Sequence, residues 1–183
     1  CLSLGGRLLV RDDDTGRAMV ERAMQLDESA ILQGCELLRD YHGRNGRKEE
    51  ANAWHRRLIE RAELQQAADK ERNWVLLRDK FERHDLRENT LKGVHDQLRA
   101  IPGLRKAYFV KKRVMYLTHR PSYVLGYSVT GSFQFHNKKR AAEVLQRIQE
   151  AVQFPGETMI IKVDGDNYRF GRKFRWMRGA RIL

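Results

Sequence analysis

Cysteine is scarce in this 183-residue chain: Cys1 and Cys35 are the only two, which excludes a disulfide scaffold and leaves little for a thiolate metal site. No uninterrupted apolar run approaches the roughly 18 residues of a membrane span, so a transmembrane helix within the chain is excluded. Cys1-Leu2-Ser3-Leu4 lacks the charged start and apolar core of a signal peptide. With Cys rather than Met in first place, the chain is expected to be a piece of a longer protein.

Recognisable catalytic patterns are missing as well. The six histidines, His42, His55, His84, His95, His119 and His136, form no H-E-x-x-H pair and never fall at i, i+4 on a helix. His84-Asp85 and His95-Asp96 are adjacent in sequence, an arrangement expected to point the two side chains in different directions. Asp12-Asp13-Asp14-Thr15-Gly16 and Asp164-Gly165-Asp166-Asn167 resemble calcium loops only faintly, since neither is followed by the required Glu. Helix capping and turn formation explain both better. There is no Gly-rich phosphate loop and no G-x-S-x-G elbow. The sequence thus predicts no catalytic residue, no metal ligand and no cofactor in this chain.

What the chain does have is positive charge, unevenly placed. Residues 1–74 carry 13 basic and 14 acidic side chains, whereas residues 75–183 carry 23 basic and 10 acidic. The whole net charge of +12 therefore belongs to the second part. Such asymmetry predicts two structural units, 1–74 and 75–183, of which one faces an anionic partner. A solvated surface with no specific partner fits the same numbers.

The first unit reads as paired helices. Ile31, Cys35, Leu38 and Tyr41 mark one helix face, with Asp27 and Ser29 as N-cap candidates. Gly43-Arg44-Asn45-Gly46 stops that helix, and Ala51, Trp54, Leu58 and Ala62 mark the next. Leu2 to Val10 and Gly16 to Met24 form a second such pair. The two Gly-Arg steps, Gly16-Arg17 and Gly46-Arg47, suggest tetratricopeptide-like hairpins, with a generic helical bundle as the alternative. Packing and protein contact are the chemistry expected of such a unit.

The second unit mixes helices and strands. Leu91, Val94, Leu98 and Ile101 predict a short helix stopped by Pro102-Gly103. β-Forming runs follow at 107–110 and 114–117. Alternation from Pro121 then puts Tyr123, Leu125, Tyr127 and Val129 on one strand face. A helix through Ala141, Leu145, Ile148 and Val152, a strand over 158–163 and a last helix through Phe170, Phe174 and Met177 complete the order. Arg181-Ile182-Leu183 is expected to return as a short edge strand. The fold class is therefore α+β: helical hairpins, then a small α/β sandwich with helices covering one face of a mixed or antiparallel sheet. The apolar stretch over 74–81 is expected to pack and not to act as a flexible linker.

Two clusters are candidates for an anionic surface: Lys111, Lys112 and Arg113 between the β-like runs, and Arg169, Arg172, Lys173 and Arg175 around the apolar stripe of the last helix. Tyr108, Tyr116, Tyr123 and Tyr127 would serve as base-stacking residues if the partner were nucleic acid, and as core residues otherwise.

The runs over 77–86 and 101–114, with Pro121-Ser122-Tyr123-Val124-Leu125-Gly126, Phe154-Pro155-Gly156-Glu157-Thr158, Gly179-Ala180-Arg181-Ile182 and Gly34-Cys35-Glu36-Leu37-Leu38, resemble the C-terminal extension of some bacterial HtpX-like zinc metallopeptidases. In that family the H-E-x-x-H helix, a further Glu ligand and the membrane-spanning helices lie upstream, so no catalytic or zinc position carries over to this chain. The resemblance implies a membrane-bound parent protease, with zinc in its catalytic domain and this extension on the cytoplasmic side. The function expected is a non-catalytic accessory region, binding protein (its own protease domain or substrate segments) through the helical unit and an anionic membrane surface through the α/β unit. A nucleic-acid-binding module is the alternative.

Overall fold

A helix whose apolar residues recur every three to four positions must bury that stripe, and the first unit does so by pairing helices. In the computed structural model, α1 (Leu2–Val10) and α2 (Thr15–Leu26) form one hairpin, α3 (Ile31–Arg44) and α4 (Lys48–Arg72) a second. The structure describes residues 1–129 and 134–183, apart from the side chains of 134–138, so His136 lies outside the described residues. The chain divides into two compact units, Cys1–Ala67 and Ala68–Leu183.

In the first unit, Leu9, Val20, Met24, Cys35, Leu38 and Tyr41 form the core, with Trp54 and Leu58 of α4 packed on it. The hairpin α1–α2 is unusually close because both helices meet at glycine: a Cβ on Gly16 would lie 2.6 Å from the Gly5 carbonyl oxygen. Asp13 Oδ1 accepts from the Thr15 amide at 3.0 Å and its hydroxyl at 2.6 Å, so one of the three aspartates acts as a cap. Asp14 accepts from the Tyr41 hydroxyl at 2.8 Å, and Asp27 caps the 3-10 turn leading into α3 through the Ser29 amide.

The second unit is built on β1 (Phe81–Arg83), β2 (Leu104–Lys112), β3 (Ser122–Val129) and β4 (Glu157–Lys162), in that spatial order. β1–β2 and β2–β3 are antiparallel and β3–β4 parallel, which makes the sheet mixed. Parallel pairing needs a crossover, and α6 (Gln134–Ala151) provides it. β1 is too short for alternation to reveal it. The chain end returns along β2 as expected, but only as one antiparallel bridge, Arg181 to Tyr108, flanked by backbone hydrogen bonds from Ile182 to Ala107 and from Phe109 to Ala180.

Period-two alternation gives the sheet two apolar faces, and both are covered. On one, Ala107, Phe109, Leu125 and Tyr127 pack with Val94 and Leu98 of α5 (Glu88–Arg99) and with Val144 and Ile148 of α6. On the other, Tyr108, Val110 and Val124 meet Phe170 and Phe174 of α7 (Tyr168–Arg175). The expectation of helices on one face is corrected: consecutive residues of β2, Tyr108 to Val110, are apolar without a break, so neither face is left to water.

The expected second β-run, 114–117, is a loop, because a buried cation and a carboxylate take up the backbone groups that a ladder would use. Arg72, with 3% of its side chain exposed, donates to the carbonyls of Tyr116 and Leu117 at 2.9 Å and of Arg120 at 3.1 Å. It also pairs with Glu157 of β4 at 3.2 Å. The Glu71 carboxylate accepts the amides of Met115 and Tyr116. Leu117 sits at φ +47°, costly for a branched side chain and held by that network. In the stretch 74–81, Val75 and Phe81 pack on the sheet while Trp74, Leu76 and Leu77 stay exposed.

Two stability predictions follow from buried titratable groups. Lys112 pairs with Asp79 at 2.9 Å; removing the carboxylate strands a buried ammonium, so Asp79→Ala is expected to cost about 3 kcal/mol in urea unfolding. Burial, then the Arg83 charge, lowers the His84 pKa, with the Gly179 backbone and Asp85 opposing; His42 is lowered chiefly by burial and by Arg17. Both imidazoles take up their proton more readily unfolded than folded. The stability they contribute is therefore full above about pH 6.5 and is lost as the pH falls below it. The thermal midpoint of His84→Leu is expected to drop less between pH 7 and pH 5 than that of the unaltered chain.

Candidate anion-binding site

α7 is short and strongly two-sided. Phe170 and Phe174, four residues apart, bury against the sheet, and the cations at 169, 172, 173 and 175 surround them. The helix lies close to β4 because position 171 is glycine: a Cβ there would stand 2.6 Å from the Val163 carbonyl oxygen. Gly165, at φ +58°, makes the turn before it.

The predicted cations separate into two groups. Lys112 is only 4% exposed and donates to the carbonyls of Glu71 and Trp74 besides its pair with Asp79. It is a structural pin and no part of an open basic surface. Lys111 is held by Asp85 at 2.6 Å, and Arg113 by Glu82 at 3.2 Å. Lys173 donates to the Leu77 and Asp79 carbonyls and lies over the Phe81 ring. These four are engaged within the unit. Among the described residues, Arg172 and Arg175 have no carboxylate partner, and Arg169 reaches only the Tyr168 hydroxyl.

The unpaired cations border a cleft of about 420 Å³ between α7 and the neighbouring ends of β2 and β3. Arg172, Arg175 and Tyr168 line one side, and Arg105, Lys106 and Ser128 the other. Arg105 and Lys106 were not among the sequence candidates. Counting back from Tyr108 by twos places Lys106 on the α7 face, a signal that was available. Arg105 should then face the other way, but the ladder is interrupted between Leu104 and Lys106. A bulge of this kind re-aims one side chain, so two consecutive cations line one cleft.

The cleft also contains a carboxylate, Asp164, which is already committed: Lys162 pairs with it at 2.9 Å and the Val129 amide donates to it at 3.2 Å. The local field is therefore positive. The Tyr168 phenol has its pKa lowered first by the Arg169 hydrogen bond and charge, and to a lesser extent by the Arg172 charge. Guanidinium groups do not release protons near neutral pH, so Arg105, Arg172 and Arg175 bring fixed positive charge to the cleft.

Of the four tyrosines expected to stack bases or fill the core, three are too buried to stack, and Tyr116, in the loop, is 40% exposed. Tyr108, Tyr123 and Tyr127 are core residues, and Tyr123 and Tyr127 donate to Asp85 and the Ala141 carbonyl. The exposed rings beside α7 are Tyr168, 56% exposed, and Trp176, 77% exposed. His95 does meet Asp96, at 3.0 Å on the exposed surface of α5, contrary to the expected divergence. His84 instead packs against Phe109, while its neighbour Asp85 serves Lys111 and Tyr123.

No helix among the described residues is long and apolar enough to cross a membrane. Among known proteins, no family model, no curated protein and no solved structure matches the chain.

Proposed function

We propose that this chain is a non-catalytic interaction region whose second unit holds an anionic partner on the α7 face. The observation that carries the reading is the group of four cations, Arg105, Lys106, Arg172 and Arg175, that border one cleft without a carboxylate partner among the described residues. Unpaired like charges held together repel one another, and a bound anion relieves that repulsion.

In the same reading the first unit binds protein through its hairpins, where Leu4, Val10 and Leu26 are exposed apolar residues. The phrases shared with HtpX-like extensions support a place beside a zinc metallopeptidase domain on the cytoplasmic side of a membrane, with the zinc held by that domain.

Retention on immobilised heparin tests the anionic reading. The double variant Arg172→Gln, Arg175→Gln is expected to elute at clearly lower salt, and Arg113→Gln, whose charge Glu82 already balances, close to the unaltered chain. Equal elution of all three would overturn it. The purified chain is further expected to show no peptidase activity and no stoichiometric zinc; finding either would remove the accessory role.

A further inference from the structure

We infer that the anionic partner is a single-stranded nucleic acid, with its phosphates in the basic cleft and its bases stacked on Tyr168 and Trp176. The inference rests on the anion-binding reading above and gives the partner its chemical class.

The outward face of α7 alternates ring and charge. Tyr168, Arg172 and Trp176 recur at i, i+4 and i+8, and Arg169 and Lys173 run beside them. The first three fall on one helix face, and eight residues span about 12 Å along the axis. At about 3.4 Å per stacked base, that distance accommodates roughly three bases. Tyr168 and Arg172 belong both to the cleft and to this outer strip, so backbone-binding and stacking surfaces are continuous. Single-strand binders combine these two elements: a cationic groove along the phosphates and exposed rings beside it.

A lipid surface fits this face less well. Interfacial helices bind through a buried apolar face, and α7 has spent its apolar face, Phe170 and Phe174, on its own sheet. Its sequence from 168 to 175 contains no aliphatic side chain. A cleft of about 420 Å³ admits a phosphate or a base, whereas a flat bilayer does not enter it. An acidic peptide would satisfy the charges but gives no role to two exposed rings.

The full chain would be titrated, at about 100 mM salt, with labelled single-stranded RNA and DNA of about 12 nucleotides. The same duplex sequence, polyphosphate, poly-glutamate and phosphatidylserine–phosphatidylcholine vesicles serve as comparison probes. Single strands are expected to bind tightest and to quench tryptophan fluorescence, and the quench is expected to be lost in Trp176→Leu. Trp176→Ala, at an exposed position outside the cleft lining, is expected to weaken oligonucleotide binding about tenfold while leaving polyphosphate binding unchanged, whereas Tyr168→Ala, which also lines the cleft, is expected to weaken both. Trp176→Phe restores most of it. Arg172→Gln is expected to weaken both probes and to reduce the salt slope for oligonucleotide by about 0.7. Polyphosphate, poly-glutamate or vesicles binding as tightly as single strands, or aromatic variants without effect, would overturn the nucleic-acid inference and leave the anionic reading standing. Failure of every polyanion to bind would remove both.

Discussion

The buried guanidinium of Arg72 is the point on which the second unit depends. A guanidinium is planar and rigid, and here its terminal nitrogens donate to three carbonyls of one loop and one of its own helix, while Nε lies 3.2 Å from a carboxylate of β4. Loop backbone that would otherwise need a strand partner or water is satisfied from a side chain. Next to it, Lys112 does the same for the carbonyls of Glu71 and Trp74, under the Asp79 carboxylate. Two cations are thus spent inside the unit to fix its connections. Neither of these two cations belongs to the exposed positive surface.

Fixing those connections has a downstream effect on the site. The turn that ends at Asp79 is bound from below by Lys112 and from α7 by Lys173, whose ammonium donates to the Leu77 and Asp79 carbonyls. Phe170 and Phe174 set the distance of α7 from the sheet, and Lys173 sets its rotation. The cations left on that helix, Arg169, Arg172 and Arg175, are then directed by elimination: one side is buried and one is tied down.

Most of the fold was legible because the apolar residues keep strict periods. Ile31, Cys35, Leu38 and Tyr41 mark α3, and the alternation from Tyr123 to Val129 marks β3 and its faces. What failed did so for physical reasons. Residues 114–117 have the composition of a strand, but their backbone groups are claimed by Arg72 and Glu71, which come from a distant part of the sequence. β1 has three residues, too few for any period. The site was half legible: Arg172 and Arg175 were found from helix periodicity. Lys112 and Lys173 look identical to them in sequence, because burial of a lysine depends on partners that periodicity does not show. Arg105 was hidden by the bulge.

That bulge has a wider meaning. A regular strand can contribute only every second residue to a surface, which caps the charge density along its edge. A single parity defect between Leu104 and Lys106 removes the cap, so adjacent codons supply neighbouring charges in space. The cleft's field is thus encoded in strand register as much as in composition. With strict alternation Arg105 would turn away from Lys106 and the cleft would lose one of its four bordering cations, without any change in the net charge of the protein.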